Sequence, residues 1–285
     1  MAKLAFIGLG VMGGPMAGHL AAAGHDVAAY NRTRLKAEAW ADRHGGRAVH
    51  SPAEAADGAA AVIVCVGTDD DVREVASAAF PAMAPATVWI DHSTVSAQLA
   101  RELASEAVAK GILALDAPVS GGEAGAQAGT LAAMCGGGPV AFDAAKPYLD
   151  NYCARAVLIG EAGSGQLAKM VNQIAIAGVV EGLAEAVHFT AAAGLDAAKV
   201  FDAISGGAAA SWQMLNRWPT MVEGKYDFGF AIDWMRKDLG LTLDEARANG
   251  ADLPLAKLVD RFYAELQAEG GGRLDTSSLR KRYQP

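Results

Sequence analysis

The fold is decided by an early stretch of the chain, Leu4-Ala5-Phe6-Ile7-Gly8-Leu9-Gly10-Val11-Met12-Gly13. An apolar run of strand length leads through a glycine-rich turn into a segment with helical spacing, Val11 to Ala23. The dinucleotide-binding fingerprint G-x-G-x-x-G requires this context, because its glycines permit a tight turn, close approach to a pyrophosphate and close helix packing. A structural turn without a ligand is the alternative. We favour nucleotide binding and expect contacts from Gly8, Leu9, Gly10, Val11, Met12 and Gly13.

The alternation of short apolar runs with helical segments continues to about Ile159 and predicts a doubly wound α/β domain. Runs with this spacing form βαβ crossovers and therefore a largely parallel sheet. Beyond Gly160 the pattern changes, because Gly163-Ser164-Gly165 opens a long apolar stretch, Gln166 to Ala193, without strand punctuation. We predict a Rossmann domain over residues 1–162 and an all-helical domain over residues 163–285, entered through one long helix.

The individual elements follow from the same periodicity. We predict strands at Leu4 to Ile7, Val27 to Tyr30, Ala61 to Val66, Thr87 to Asp91, Ile112 to Asp116, Leu131 to Cys135 and Ala156 to Ile159. In the first domain we predict helices at Val11 to Ala23, Leu35 to Arg43, Val72 to Ala79 and Ser96 to Lys110, with Ser96 as an N-cap. In the second we predict Ala197 to Ile204, Trp212 to Val222, Ala231 to Asn249 and Pro254 to Glu269. We expect Arg273 to Pro285 to be loosely held.

Composition excludes several classes of protein. The 285 residues are 52% hydrophobic, which is enough for a substantial core in about two domains and excludes a disordered chain. The formal net charge is −8 and the basic residues are scattered, so we expect no nucleic-acid partner. The longest apolar run, Ala59 to Val66, has the length of a strand, and we therefore expect no membrane partner.

Cysteines and histidines give no sign of redox or metal chemistry. Cys65, Cys135 and Cys153 lie far apart and form no CxxC pair, so we interpret them as reduced thiols of the core. The six histidines show neither an HExxH motif nor a ligand spacing with cysteine, and we expect no metal site. Met1 to Ile7 contains no signal-peptide pattern, and we expect a cytoplasmic protein.

The end of the second predicted strand bears on the choice of cofactor. NAD sites usually place Asp or Glu there for the ribose hydroxyls, whereas this strand runs into Asn31, Arg32 and Thr33. A guanidinium can pair with the 2′-phosphate that a carboxylate would repel, and Asn31 and Thr33 can donate hydrogen bonds. The sequence therefore favours NADP, with NAD as the second choice. A solvated arginine at a helix start is the alternative interpretation of Arg32.

The stretch Asp116-Ala117-Pro118-Val119-Ser120-Gly121-Gly122 follows a predicted strand at the carboxyl edge of the sheet. Doubly wound folds bind their ligands at that edge. The hydroxyl of Ser120 and the unobstructed N–H groups of Gly121 and Gly122 suit a small carboxylate. A flexible loop without a ligand is the alternative.

Lys169 and Asn172 occur near the start of the predicted long helix, within the stretch Gly165-Gln166-Leu167-Ala168-Lys169-Met170-Val171-Asn172. They are three residues apart and hence share one helical face. Partial burial and the positive helix end both disfavour an ammonium group, so we expect the pKa of Lys169 to be lowered towards neutrality. A general acid or base has such a pKa. An ordinary surface lysine is the alternative.

Four motifs together carry a family resemblance: Gly8 to Ala17, Asp116 to Gly122, Gly165 to Asn172, and Lys237-Asp238-Leu239-Gly240. In this order they resemble the β-hydroxyacid dehydrogenases, in particular the group like 3-hydroxyisobutyrate dehydrogenase. The resemblance implies a Rossmann domain, a long connecting helix, a helical domain and a homodimer or homotetramer. It also implies the following roles: Lys169 as the catalytic lysine, Asn172 as the substrate-orienting amide, Ser120, Gly121 and Gly122 as the substrate loop, and Thr94 and Lys237 as cofactor contacts. We place Val66, at the end of a predicted strand, with the cofactor-binding residues.

The resemblance implies hydride transfer between a nicotinamide cofactor and a short β-hydroxy acid or its semialdehyde, with Lys169 exchanging the proton. Asn31-Arg32-Thr33 is more similar to the NADP-using glyoxylate and succinic semialdehyde reductases, which therefore stand as an alternative. A non-catalytic NADP-binding sensor is the alternative from another class. The pairing of Lys169 with Asn172 argues against the sensor.

Overall fold

The opening apolar run forms strand β1 (Lys3–Ile7), in which Leu4 to Ile7 are at most 1% exposed. The run is continuously apolar because both faces of the strand are covered: Leu4 and Phe6 belong to one hydrophobic core, and Ala5 and Ile7 to another. The computed structural model describes residues 1–283. These fall into two compact units that divide between Lys169 and Met170, later than the predicted boundary after residue 162.

The described residues of the first unit form a nine-stranded, mainly parallel sheet with helices. The strands after β1 are β2 (Asp26–Tyr30), β3 (Arg47–Ala48), β4 (Ala61–Val64), β5 (Val88–Asp91), β6 (Leu113–Asp116), β7 (Val119–Ser120), β8 (Leu131–Gly137) and β9 (Cys153–Gly160). Their order is β3-β2-β1-β4-β5-β6-β8-β7, and β9 pairs with β8. The first six strands pair in parallel, whereas β8 is antiparallel to β6 and β7. The chain direction thus reverses after β6, where the sequence predicts the substrate loop.

The helices of the first unit are α1 (Gly13–Ala22), α2 (Arg34–His44), α3 (Pro52–Ala56), α4 (Asp69–Ala79), α5 (Ala97–Ala109), α6 (Gly122–Ala128) and α7 (Pro139–Leu149). The predicted N-cap is confirmed, because the Ser96 hydroxyl accepts a hydrogen bond from the Leu99 N–H at 3.1 Å. Helices α3, α6 and α7 were not predicted from the sequence. Two of these are short, and α7 contains an interior proline, Pro147, that interrupts a helical pattern.

The long predicted helix is α8 (Ser164–Ala192), 29 residues in length, and it runs from the first unit into the second. The second unit continues with α9 (Ala197–Ile204), α10 (Trp212–Glu223), α11 (Ile232–Asn249) and α12 (Pro254–Ala268). Its described part is helical throughout, as predicted, around a core that includes Trp218 and Tyr263.

The prediction of a loosely held C-terminal segment is wrong for its described part. Asp275 to Leu279 are at most 3% exposed. The segment is anchored because the buried Asp275 carboxylate accepts hydrogen bonds from Arg217 Nε at 3.0 Å and from the Phe230 N–H at 2.9 Å. The end of the described chain is therefore part of the second core.

Helix α8 is long and apolar enough to cross a membrane by length and composition alone. Its most apolar window has a mean hydropathy of 1.4, and 39% of that window is buried in the described structure. Core helices of soluble proteins have the same properties. The expected absence of a membrane partner therefore stays a prediction.

Candidate active site

The turn between β1 and α1 has the geometry of a phosphate cradle. Gly8 has a φ of +97°, and an added Cβ there would lie 2.2 Å from the Cys65 oxygen. A Cβ at Gly13 would lie 1.9 Å from the oxygen of Gly8, so α1 packs on the turn only because position 13 is glycine. At Gly10 an added Cβ would meet no protein atom within 4 Å. The backbone at Gly10 is thus open to a ligand at a helix N-terminus, which fits a dinucleotide pyrophosphate.

Asn31 holds this turn against the end of β2. Its Oδ1 accepts a hydrogen bond from the Leu9 N–H at 3.0 Å, and its Nδ2 donates to the Thr33 oxygen at 3.1 Å. Thr33 directly precedes α2. The Asn31 side chain therefore shapes the cradle, a role that the sequence analysis did not anticipate.

Arg32 projects from the same strand end, and its side chain is 82% exposed. Its guanidinium forms an ion pair with Asp71 at 3.0 Å. Asp71 is itself fixed as part of the capping box of α4, in which Thr68 Oγ1 donates to the carboxylate at 2.9 Å. Arg32 is therefore an accessible cation at the edge where the sequence predicts a 2′-phosphate.

Val66 and Thr94 lie on the segments that follow β4 and β5. The Val66 N–H donates to Ser93 Oγ at 2.9 Å, which joins the two segments. Gln166 of α8 joins them to the long helix, because its Oε1 accepts from the Val95 N–H at 3.1 Å and its Nε2 donates to the Ser93 oxygen at 2.8 Å. Gln166 is fully buried, and no role was predicted for it from the sequence.

Ser120 belongs to the short strand β7, which pairs with Ala132 and Ala133 of β8. Ser120 is therefore part of a paired strand, while the ligand-binding role of the segment stays a prediction. Gly121 and Gly122 follow with φ values of +136° and +62° and are exposed, and α6 begins at Gly122. Strand pairing thus holds Ser120 in place, while the two glycines present their backbone to solvent.

Lys169 lies on the first turns of α8 and is only 8% exposed. Its Nζ donates a hydrogen bond to the Val119 oxygen at 2.9 Å. Lys169 is therefore buried and is not a surface lysine in solvent. The amine thus lies at Val119, the residue before Ser120, and these residues all belong to the first compact unit.

Two groups that the sequence analysis did not assign stabilise the same segment. The Ala117 oxygen accepts a hydrogen bond from His92 Nδ1 at 2.6 Å, and His92 Nε2 lies 2.9 Å from the Tyr152 hydroxyl. Because a carbonyl oxygen only accepts, Nδ1 carries the proton and Nε2 accepts from Tyr152. Burial lowers the pKa of His92 to about 4, so the ring is neutral at physiological pH.

Asp116, which ends β6, is the second group. Its carboxylate accepts hydrogen bonds from the N–H groups of Gly163 at 2.7 Å and Gln166 at 3.0 Å. Burial raises the pKa of Asp116 to about 6, although these hydrogen bonds act in the opposite direction. In the neighbouring strand, burial raises the pKa of Asp91 to about 7.

In the second unit, two hydrogen bonds and an ion pair link Asn172 to Lys237. Asn172 Nδ2 donates to Gln173 Oε1 at 2.8 Å, and Gln173 Nε2 donates to Asp238 Oδ2 at 2.7 Å. Lys237 Nζ lies 3.1 Å from Asp238 Oδ1 and 5.8 Å from the centre of the Trp234 ring. The structure therefore brings two predicted site residues of this unit together through Gln173 and Asp238.

Two of the cysteines are not activated. Cys135 and Cys153 are buried, and burial raises the pKa of each thiol to about 12, while Cys65 is half-buried. Over residues 1–283, no group of three or more His, Cys, Asp or Glu side chains could hold a metal ion.

Known protein families match almost the full length of this chain. Residues 3–160 match the family described as the NAD binding domain of 6-phosphogluconate dehydrogenase, and residues 163–283 match the NAD-binding family of NADP-dependent 3-hydroxyisobutyrate dehydrogenase. An uncharacterised oxidoreductase of Shewanella frigidimarina is 56% identical, covering 99% of this chain and 98% of its own length. The 3-hydroxyisobutyrate dehydrogenase of Pseudomonas aeruginosa is 35% identical, with 99% of each chain covered.

Among solved structures, 3-hydroxyisobutyrate dehydrogenase of Mycobacterium tuberculosis is similar with a TM-score of 0.91 and 36% identity, and all of both chains is covered. The matched families and the glycine cradle agree on a nicotinamide dinucleotide as cofactor. The chain therefore belongs to the β-hydroxyacid dehydrogenase family, as an oxidoreductase related to 3-hydroxyisobutyrate dehydrogenase.

Proposed function

We propose that this protein catalyses reversible hydride transfer between NADP(H) and a short β-hydroxy acid or its semialdehyde, with Lys169 as general acid and base. The observation that carries the proposal is the buried amine of Lys169, held against the Val119 oxygen next to Ser120. A buried, oriented amine beside two exposed glycines can serve proton transfer to a bound carboxylate-bearing substrate.

The bound nicotinamide supplies or accepts the hydride. In the reducing direction, Lys169 would give its proton to the carbonyl oxygen as the carbonyl carbon takes up the hydride. In the oxidising direction, Lys169 removes the hydroxyl proton. Ser120, Gly121 and Gly122 hold the carboxylate, and Asn172 orients the reacting oxygen or the lysine. The hydrogen bond from Asn172 Nδ2 to Gln173 Oε1 limits the rotation of the Asn172 amide.

NADP is the favoured cofactor because the accessible guanidinium of Arg32 can pair with a 2′-phosphate. The ion pair with Asp71 does not prevent this, since exposed ion pairs contribute only about 0–1 kcal/mol. The family matched by residues 163–283 is described as NADP-dependent, which supports the same choice. NAD is the alternative.

The substrate class rests on the relatives. The Pseudomonas aeruginosa relative is a 3-hydroxyisobutyrate dehydrogenase, and the Mycobacterium tuberculosis structure is described with L-serine, which is itself a short 3-hydroxy carboxylate. One observation favours the glyoxylate and succinic semialdehyde reductases as a second candidate, namely Asn31-Arg32-Thr33 at the end of β2.

The test is NADPH or NADH consumption with methylmalonate semialdehyde, tartronate semialdehyde, glyoxylate and succinic semialdehyde, and the reverse reaction with 3-hydroxyisobutyrate. We expect turnover with NADPH and one of the short β-semialdehydes. A preference for glyoxylate or succinic semialdehyde would support the second candidate. Tight NADPH binding without turnover on any substrate would instead indicate a sensor.

We further propose a cytoplasmic homodimer or homotetramer that acts without nucleic acid or membrane. Large apolar side chains are exposed in the second unit, among them Phe189 of α8 and Trp212 and Leu215 of α10. Exposed apolar surface of this kind is typical of subunit interfaces. Light scattering after size-exclusion chromatography tests the assembly, and a monomer would contradict it.

A further inference from the structure

Helix α8 is held at its N-terminus by a carboxylate from another strand. The two Asp116 oxygens each accept one backbone N–H, from Gly163 just before the helix and from Gln166 in its first turn. Both N–H groups belong to the set that a helix leaves without internal partners. Asp116 thus caps α8 from the sheet, and its negative charge complements the positive end of the helix dipole.

The residues around this contact are tightly packed. An added Cβ at Gly165 would lie 2.4 Å from the Met134 oxygen and 2.7 Å from Asp116 Oδ2. An added Cβ at Gly136 of β8 would lie 2.6 Å from Asp116 Oδ1 and 2.8 Å from the Ser164 nitrogen. Helix backbone, strand backbone and carboxylate therefore meet directly, so a shift of α8 along its axis would break several contacts at once.

The same two segments meet again one helical turn later. Asp116 contacts Gln166, and three residues further along each segment, the Val119 oxygen accepts from Lys169. The carboxylate contact thus determines which turn of α8 faces β7, and so where the Lys169 amine lies relative to Ser120.

We propose that Asp116 is a positioning residue that sets the placement of Lys169 against the substrate loop. This inference rests on the proposed role of Lys169. Asp116 acts on the lysine through the first turn of α8 and does not itself touch the reacting atoms.

Protonation of Asp116 predicts a pH dependence of kcat that tests this role. Burial raises its pKa to about 6, so the carboxylate takes up a proton in mildly acidic solution and weakens as an acceptor. Asp91 of β5 and Cys135 of β8 are the titratable groups that interact with it from neighbouring strands, and Arg101 of α5 lies beside Gly163. Burial raises the pKa of Asp91 to about 7, so Asp91 is largely protonated where Asp116 titrates, and Cys135 also stays protonated; neither stabilises the ionised form of Asp116.

The experiment compares the wild type with Asp116→Asn, using the full-length protein. We expect kcat to fall by about 10- to 100-fold, because misplacement of a catalytic group by about 1 Å has an effect of this size. The KM of the substrate and the Kd of NADPH should stay within about threefold. In the wild type, kcat should decline below about pH 6, and the variant should lack this decline.

The matched control is Asp196→Asn. Asp196 also accepts two backbone N–H groups at a helix start, from Ala198 and Lys199, but it caps α9. We expect its kcat to be unchanged. A kcat within twofold of wild type for Asp116→Asn, or equal losses in both variants, would overturn the inference.

A second variant covers the case in which Asp116→Asn no longer binds NADPH. Gly165→Ala keeps the carboxylate but displaces the same turn of α8, and the same loss of kcat with retained NADPH binding is expected. Loss of NADPH binding in both variants would overturn the inference, because the contact would then support the whole unit. The proposed function fails separately, if Lys169→Ala keeps its turnover.

Discussion

The amine of Lys169 lies 2.9 Å from the main-chain oxygen of Val119 and donates a hydrogen bond to it. This contact joins α8 to β7, the strand that carries Ser120. The lysine therefore has a defined place and is not a flexible surface cation. It is also the last residue of the first unit, so the proposed proton donor and the substrate loop belong to one compact body.

Arg32 should determine the choice of cofactor. Arg32→Ala removes the cation proposed to pair with the 2′-phosphate, and we expect kcat/KM for NADPH to fall about 10- to 100-fold, the size of a charge-assisted hydrogen bond. The value for NADH should change less than threefold. Arg34→Ala is the matched control, because Arg34 lies two residues later and pairs with Glu38. Equal losses of kcat/KM with both cofactors would show that Arg32 does not recognise the 2′-phosphate.

Gly13 should be indispensable for cofactor binding, whereas its neighbour Gly14 should not. A Cβ at Gly13 would lie 1.9 Å from the Gly8 oxygen, while one at Gly14 would make an ordinary contact at 3.8 Å with the Leu9 oxygen. We expect Gly13→Ala to weaken NADPH binding at least about tenfold, since the cradle must open to accept the methyl group. Gly14→Ala should bind normally. Fluorescence titration with NADPH measures both, and equal affinities would contradict the proposed cradle.

Gln173 should stabilise the second unit through the buried carboxylate of Asp238. Gln173→Met removes the donor that lies 2.7 Å from Asp238 Oδ2. We expect the free energy of unfolding in urea to fall by about 1–3 kcal/mol, because a buried acceptor loses its partner. Gln98→Met is the control, since Gln98 is exposed and donates its hydrogen bond to the exposed surface residue Glu102. A change below 0.5 kcal/mol, the usual scale of a surface substitution, would argue against the hydrogen-bonded chain.

His92 should make stability depend on pH. Its pKa is lowered from 6.5 to about 4 by burial, so between these values the unfolded chain binds a proton that the folded chain does not. Stability from this residue is therefore fully present above pH 6.5 and falls towards pH 4, by at most about 3 kcal/mol. Asp91 acts in the opposite sense, because its pKa is raised to about 7 and its contribution is lost as the pH rises from 3.8 to 7.

A variant separates the two contributions. His92→Asn should destabilise the protein most at pH 7, and its difference from the wild type should shrink as the pH is lowered to 4. Urea unfolding at several pH values measures this difference, with exposed His50→Asn as the control. A difference that does not change with pH would mean that His92 titrates normally.

Local patterns were sufficient to predict the fold. The continuous apolar run at Leu4 to Ile7 and the glycine turn after it are properties of neighbouring residues, and so is the apolar stretch that forms α8. Strand β7 was missed because a pair of two residues has no periodicity, and it forms only because β8 returns beside it.

Much less of the candidate site could be predicted. Lys169 stands out because it is the one charged residue between Ser164 and Val180 of an otherwise uncharged helix start, and Asn172 shares its helical face. The hydrogen bonds of Asp116 to Gly163 and Gln166 join residues 47 and 50 positions apart, and no local pattern reports such contacts. The acidic end of β6 is the one signal that could have drawn attention to Asp116, since a buried carboxylate must find donors. The burial of Asp275 was missed for the same reason, because its partner Arg217 lies in α10, 58 positions earlier in the chain.

The most direct test of the central claim is the rate of hydride transfer in single turnover, with NADPH and the best semialdehyde of the panel, for Lys169→Ala. Lys146→Ala is the control, because that lysine is exposed and pairs with Asp150. We predict a rate lower by about 10² to 10⁴ in Lys169→Ala, with NADPH affinity nearly unchanged and the control like wild type. A rate for Lys169→Ala close to that of the wild type would contradict the account.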